Sequence, residues 1–235
     1  VEAPRPNDVA VLPETVAKDR KVELLRRADD AARSAGSAIS QVTVRYGDSR
    51  RRILVANSDG LLAEDDQVRT LLTVMAVASG DTGMQTGYQS LGRTVGFELF
   101  DRYAVEDLGR EAAERALLKL AARPAPSGTM PVVIGPGGGG VLFHEACGHG
   151  LEADLVAKGA SVFAGRIGQR VADPRITLVD DGTMAEEWGA FAVDDEGSVA
   201  QRNVLIQDGI LTDYMWDLLR SRKEGRARSG NGRRQ

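Results

Sequence analysis

Cysteine and histidine are almost missing from this chain of 235 residues, which contains one cysteine and two histidines. A single cysteine excludes a disulfide within the chain and is typical of a reducing compartment, so we expect a cytoplasmic protein. Long apolar runs are also missing. The longest, residues 71–78, is far shorter than the roughly 20 residues that cross a bilayer, so we expect no membrane span and no signal peptide.

The charge of the chain is close to balanced. The net charge is −4 at pH 7, so we expect neither a nucleic acid nor an anionic membrane as a partner. The arginine-rich stretch 220–234 is a local exception, and a short basic stretch is usually a solvated surface. A content of 42% hydrophobic and 27% charged residues argues against disorder, and the length allows one large domain or two small ones.

The two histidines lie in one six-residue stretch, His144-Glu145-Ala146-Cys147-Gly148-His149. Neutral imidazole is the commonest metal-binding side chain. A neighbouring glutamate can take a proton from a water molecule that a metal ion activates. The stretch therefore predicts two metal ligands, His144 and His149, and a general base, Glu145, as in a metal-dependent hydrolase.

The spacing of the histidines leaves two interpretations open. Zinc peptidases usually carry histidines at i and i+4, whereas these lie at i and i+5, about 140° apart on a regular helix. A π-bulge, or a bend at Gly148, would bring the two rings to one side. The metal interpretation therefore requires a distorted helix. The alternative is a pair of unrelated, partly buried histidines.

The residues before the histidines predict a strand, a glycine loop and a helix. Residues 129–134 form a β-branched run typical of a buried strand, and glycines fill most of 135–140. Such a loop exposes backbone N–H groups at a helix start, where they can bind an oxyanion, a phosphate or a peptide carbonyl. It lacks the Gly-Lys-Ser/Thr of a nucleotide-binding P-loop. A flexible turn is the other interpretation of the glycines.

Three residues near the histidines have open roles. Cys147 is a small buried hydrophobic side chain or, as weaker hypotheses, a metal ligand or a nucleophile, and a nucleophile would need a lowered pKa. Glu152 and Asp154 are either metal ligands, acceptors for an imidazole N–H, or ordinary solvated side chains.

The pattern of apolar residues predicts an α+β fold, with a helix-flanked mixed sheet followed by a β-rich region that carries the metal-binding helix. Residues 123–128 read as a linker. It separates an incomplete N-terminal α/β domain, 1–123, from the truncated start of a β-rich catalytic domain, 129–235.

Individual elements follow from periodicity and turn residues. In the first part we expect helices at 20–35 and 104–122, paired strands at 38–46 and 51–57 around Gly47-Asp48, a strand at 68–78, and bends or loops over 79–96. In the second part we expect strands at 176–180, 191–193 and 204–211, hairpin turns at Asp180-Asp181-Gly182 and Asp208-Gly209, and a last helix capped by Asp213 that ends near Glu224.

Several ordered motifs resemble the TldD/PmbA family of metallopeptidases. They are segments 129–133, 144–152, 179–184, 194–197, 203–206, 209–211 and 230–234, together with the glycine loop. The histidine-bearing helix resembles the TldD-like subunit, because the PmbA-like (TldE) partner lacks that block.

The resemblance implies a zinc-dependent peptidase that acts on unfolded or extended peptides and pairs with a TldE/PmbA-type subunit or with itself. His144 and His149 match the family's metal ligands, and Glu145 matches its catalytic glutamate. The family's third ligand is a cysteine further along, so the resemblance implies that this chain is a fragment that lacks it. It also implies that the chain starts inside the family's N-terminal domain. The alternative function is a non-catalytic subunit that binds a partner or a peptide without a functional metal site.

Overall fold

The computed structural model of the chain describes residues 8–81 and 83–232, so Arg233 and Arg234 of the last motif and of the arginine-rich stretch lie outside the described residues. The fold is α+β, as predicted. The longer elements of the first half are α1 (Lys18–Ser34), β1 (Ile39–Ala56), β2 (Leu62–Gly80), β3 (Gly83–Arg93), α2 (Leu99–Arg102) and α3 (Val105–Ala121). A short 3-10 turn, Pro13–Thr15, precedes α1.

The first half is an antiparallel sheet in the order β1-β2-β3, covered by α1 and α3. Side chains of β2 alternate between buried and half-buried positions, and Leu72, Val74, Ala76 and Ala78 are fully buried. Helix α1 buries Leu24, Ala28 and Ala32 at helical spacing. These residues form one hydrophobic cluster with the small residues of α3. The apolar residues whose helical spacing predicted both helices are therefore the residues that the helices bury in this core.

Two predictions for the first half were wrong, one of a pair of strands and one of a loop. Residues 38–46 and 51–57 are not two paired strands, because β1 runs straight through Gly47, which lies opposite Leu71 of β2. Residues 79–96 are not a loop, because most of them form β3. A Cβ added at Gly87 of β3 would lie 1.9 Å from the carbonyl oxygen of Ala112 in α3. Glycine is needed there for the close approach of the helix.

The second half contains α4 (Gly138–Phe143), a π-helical turn (His144–Gly148), a 3-10 turn (His149–Leu151), α5 (Ala153–Ala157), β4 (Leu178–Asp181), β5 (Arg202–Gln207), β6 (Ile210–Leu211) and α6 (Leu218–Glu224). Its small sheet has the order β4-β5-β6. The sheet packs with Leu151, Ala153, Tyr214 and Trp216 in a second hydrophobic cluster. The hairpin at Asp208-Gly209 is confirmed, and both residues have positive φ angles of 50° and 79°.

Four details of the second half differ from prediction. Residues 129–134 are not a buried strand, and Val133 is 98% exposed. Residues 191–193 form no strand, since Val193 makes only an isolated bridge to Val199. Asp180-Asp181-Gly182 is no hairpin, because β4 pairs with the distant β5 and Asp181 instead accepts a hydrogen bond from the Thr183 N–H. Asp217, not Asp213, caps α6 by accepting from the Arg220 N–H at 2.6 Å.

Pairing in both sheets is antiparallel. Within residues 8–81 and 83–232, the parallel pairing that a mixed sheet requires occurs only at an isolated bridge between Glu152 and Met215. Residues before the exposed segment 122–137 in the chain form one hydrophobic cluster, and residues after it form the other. That the chain divides into two domains near residues 123–129 remains our proposal. None of the helices in the described part of the chain has the length and apolar character needed to span a bilayer.

Candidate metal centre

The histidine-bearing helix has the distortion that a shared metal ion requires. The α-helical hydrogen bonding of α4 gives way at His144 to a π-helical turn that extends to Gly148. The His149 N–H donates to the carbonyl oxygen of His144, so one wide turn joins the two histidines. A turn closed between residues i and i+5 places both on the same side of the helix. The distortion expected from the spacing is therefore confirmed.

The two imidazole rings lie next to each other. Their centroids are 4.4 Å apart with an interplanar angle of 70°. One potential ligand atom from each of His144, Glu145 and His149 lies within 4.8 Å of the others, and all three side chains are exposed. The structure thus brings together the three residues that the sequence singled out.

This arrangement fits a divalent metal ion such as zinc. Two nitrogens that each bind zinc at about 2.0–2.1 Å lie no more than about 4.2 Å apart, a separation close to the 4.8 Å within which the three ligand atoms lie. Imidazole and carboxylate groups are both common zinc ligands. The two histidines are thus neighbours at the surface, and not the unrelated, partly buried pair of the alternative interpretation.

Glu152 contacts the His149 ring at its Nδ1 atom. Its Oε1 lies 2.9 Å from Nδ1 of His149. This hydrogen bond, helped by the charge of Glu152, raises the pKa of His149 above its ordinary value. The spacing of three residues along a helical segment is the sequence signal for such a pair.

Cys147 and Asp154 take no part in this group. The Cys147 thiol donates to the Phe143 carbonyl oxygen at 3.1 Å, and partial burial raises its pKa. A nucleophilic cysteine needs the opposite shift, so the structure favours the small-hydrophobe interpretation. Asp154 forms an ion pair with Lys158 at 2.7 Å, as a solvated side chain does.

The glycine-rich segment is only partly a loop. Gly137 has a φ of +89° and precedes α4, whereas Gly138, Gly139 and Gly140 form the first turn of that helix. The helix contains six residues. The segment therefore sets the direction in which α4 begins, and we assign it no ligand.

The anchor of the histidine-bearing segment could not be found from the sequence. Leu151 is fully buried, and its carbonyl oxygen accepts from the Met215 N–H at 2.9 Å. The Met215 carbonyl oxygen accepts in turn from the Ala153 N–H at 3.0 Å. The backbone just after His149 is thus fixed to a distant segment of the chain, and no local pattern signals that pairing.

An apolar cavity of about 310 Å³ adjoins His144. The residues that line it come from the histidine-bearing helix, from β4 and β5, and from the segment at Met215. They include Phe143, His144, Leu178, Asp180, Leu205 and Met215. Of the three residues at the candidate site, His144 is the one that lines this cavity.

The pH titration of His149 should show the effect of Glu152. We expect a midpoint above the ordinary histidine value of about 6.5, because the protonated ring bonds to the Glu152 carboxylate. At a pH below the His149 pKa the ring is protonated and this attraction is present. It is lost as the pH rises through the raised pKa. Replacing Glu152 with glutamine should lower the midpoint, as measured by NMR titration of the ring. An unchanged midpoint in Glu152→Gln would show that the carboxylate does not act on His149.

Comparison with protein families identifies the class to which this fold and site belong. Residues 12–120 match the model described as the PmbA/TldA metallopeptidase central domain, and residues 127–235 match the one described as the PmbA/TldA metallopeptidase C-terminal domain. The chain belongs to the PmbA/TldD family of metallopeptidases.

Individual relatives are named as metalloproteases. The chain is 38% identical over 227 residues to a metalloprotease TldD homolog of Haemophilus influenzae, covering 94% of this chain and 47% of that protein. It is 38% identical over 221 residues to a metalloprotease of Methanothermobacter thermautotrophicus, covering 94% and 48%. The chain therefore spans about half the length of these relatives.

The crystal structure of TldE from Thermococcus kodakarensis shares the fold. The two align with a TM-score of 0.78 at 22% identity, over 100% of this chain and 54% of that one. At this identity the match supports the fold, and the chemistry must be argued from the residues themselves.

Proposed function

We propose that this chain carries the zinc-binding helix of a peptidase, in which His144 and His149 bind the ion and Glu145 is the general base. The convergence of these three side chains within 4.8 Å at a π-helical turn carries the proposal. Membership of a metallopeptidase family supports it. Because the chain spans about half of its relatives, the activity belongs to the full-length protein, which would supply a third ligand from outside this chain.

Zinc, when bound, supplies polarisation of the scissile carbonyl and lowers the pKa of a water molecule towards ~7. The imidazoles of His144 and His149 would hold the ion in place, each in its neutral form. The distorted helix turns both rings to one side, and the anchor at Leu151 and Met215 keeps the segment fixed.

Glu145 is placed to move protons. Its Oε2 lies 3.9 Å from Nε2 of His149, close to where that nitrogen would hold the ion. The carboxylate is exposed, so it can take a proton from the attacking water and deliver it to the leaving amine.

The substrates we propose are unfolded or extended peptides. The three side chains lie at the surface, and the apolar cavity adjoins one of them, His144. An extended chain could reach such a site, whereas a folded protein would have to expose a segment first. We also propose a TldE/PmbA-type subunit or a second copy of the chain as the partner, and a cytoplasmic location, which the single cysteine supports.

Zinc content tests the proposal. We expect the full-length protein to retain about one zinc ion per chain through dialysis, and His149→Ala or His144→Ala to retain almost none. Asp154→Ala, which removes a nearby carboxylate paired with Lys158, serves as the control and should keep its zinc.

The same measurement addresses the alternative function. A full-length protein that retains no zinc, or retains it equally well without His149, would support a non-catalytic partner- or peptide-binding subunit. Metal analysis by mass spectrometry with circular dichroism as a folding check distinguishes the two outcomes.

A further inference from the structure

The two ring nitrogens of His149 face different carboxylates. Nδ1 lies 2.9 Å from Glu152 Oε1, while Nε2 lies 3.9 Å from Glu145 Oε2. The first distance is that of a hydrogen bond and the second is not. Nδ1 is therefore engaged by Glu152, and Nε2 lies on the side of the ring that faces Glu145.

We propose that Glu152 is a positioning residue that accepts the Nδ1 proton of His149 and so leaves Nε2 as the metal-binding nitrogen. A neutral imidazole carries one proton, and the hydrogen bond made by one nitrogen decides which nitrogen is free. The assignment of Nε2 to zinc rests on the proposed function. The choice of tautomer does not, since both groups are in place without the ion.

The backbone of Glu152 is well fixed for this role. Its N–H donates to the His149 carbonyl oxygen at 3.3 Å, and its own carbonyl oxygen accepts from Leu155 and Val156 at 3.1 Å. The flanking residues, Leu151 and Ala153, are both buried and bonded to the backbone of Met215. The carboxylate thus extends from a rigid point, and this limits rotation of the His149 ring.

The neighbouring acidic group does not share this role. Asp154 comes two residues later but its carboxylate binds Lys158 at 2.7 Å. Asp154→Ala therefore removes a carboxylate of similar exposure from the same turn without touching His149, and it is the matched control for Glu152→Ala.

Nitrogen NMR of the imidazole rings tests the tautomer without metal. Comparison with His144→Gln and with His149→Gln assigns the signals of the two rings. At a pH above the titration of the ring, we expect His149 to carry its proton on Nδ1 in the wild type and in Asp154→Ala. In Glu152→Ala the proton should move to Nε2 or divide between the two nitrogens. A wild-type ring protonated on Nε2, or a tautomer that is the same in Glu152→Ala, would overturn the proposal.

Zinc titration of the full-length protein measures the consequence for the metal. Removing the partner of a ligating histidine typically weakens metal affinity by about 10–100-fold. We expect this loss in Glu152→Ala and an unchanged affinity in Asp154→Ala. Equal affinities in wild type and Glu152→Ala would contradict the positioning role.

The two experiments separate this inference from the proposed function. If the protein binds no zinc at all, the proposed function fails, and the metal-free NMR measurement still decides whether Glu152 sets the tautomer. If zinc binds through both histidines but His149 has the same tautomer in wild type and in Glu152→Ala, the positioning role is disproved and the proposed function stands.

Discussion

Replacing Glu145 with glutamine should lower the peptidase activity of the full-length protein by about 10²–10⁴-fold, the usual contribution of a general acid–base group. Glutamine has the same shape but cannot take a proton. Because His144 and His149 remain, zinc content should not change. The measurement is kcat/KM on an unfolded peptide together with zinc content on the same sample.

A matched control is available in the first half of the chain. Glu114 is an exposed glutamate on α3, and Glu114→Gln should leave activity unchanged. If Glu145→Gln retained both its zinc and full activity, Glu145 would not be the base. Loss of activity together with zinc would instead assign Glu145 to metal binding.

Replacing Gly87 with alanine should destabilise the protein by about 3 kcal/mol or more, at the upper end of overpacking effects. The added Cβ would lie 1.9 Å from the Ala112 carbonyl oxygen and 2.6 Å from the Ala116 backbone nitrogen. Both are backbone atoms of α3, so no side chain can rotate away and the helix must move off the sheet. The midpoint of urea unfolding measures the effect.

Gly47→Ala is the control for this prediction. Gly47 also lies within a strand, but among the described residues no atom comes within 4 Å of an added Cβ. Because glycine in a strand costs roughly 0.5–1 kcal/mol relative to alanine, stability should rise slightly or stay the same. Equal losses in the two variants would show that α3 does not approach β3 closely.

The sequence predicted the elements whose signal is local. Helices α1 and α3 follow from apolar residues at helical spacing, and the Asp208-Gly209 hairpin follows from residues that tolerate positive φ angles. The errors come from long-range contacts. Gly87 reads as a loop residue, yet it serves the packing of α3. The β-branched run 129–134 reads as a buried strand, yet it pairs with no strand among the described residues.

The candidate site divides in the same way. His144, Glu145 and His149 are close in the chain, so their spacing alone predicted that a shared ion needs a distorted helix, and the π-helical turn is present. The pair of Glu152 and His149 was one of several open roles for Glu152, because spacing cannot tell a hydrogen bond from a solvated side chain. Met215 was missed because its contacts with Leu151 and Ala153 join distant parts of the chain.

X-ray absorption at the zinc edge of the full-length protein, compared with His144→Ala and His149→Ala, examines the central claim most directly. We predict two imidazole nitrogens at about 2.0–2.1 Å from one ion, with one imidazole lost in either variant when zinc is supplied in excess to restore binding. An ion that shows no imidazole contribution, or one that keeps the same ligands in both variants, would contradict the assignment of this helix as the metal centre.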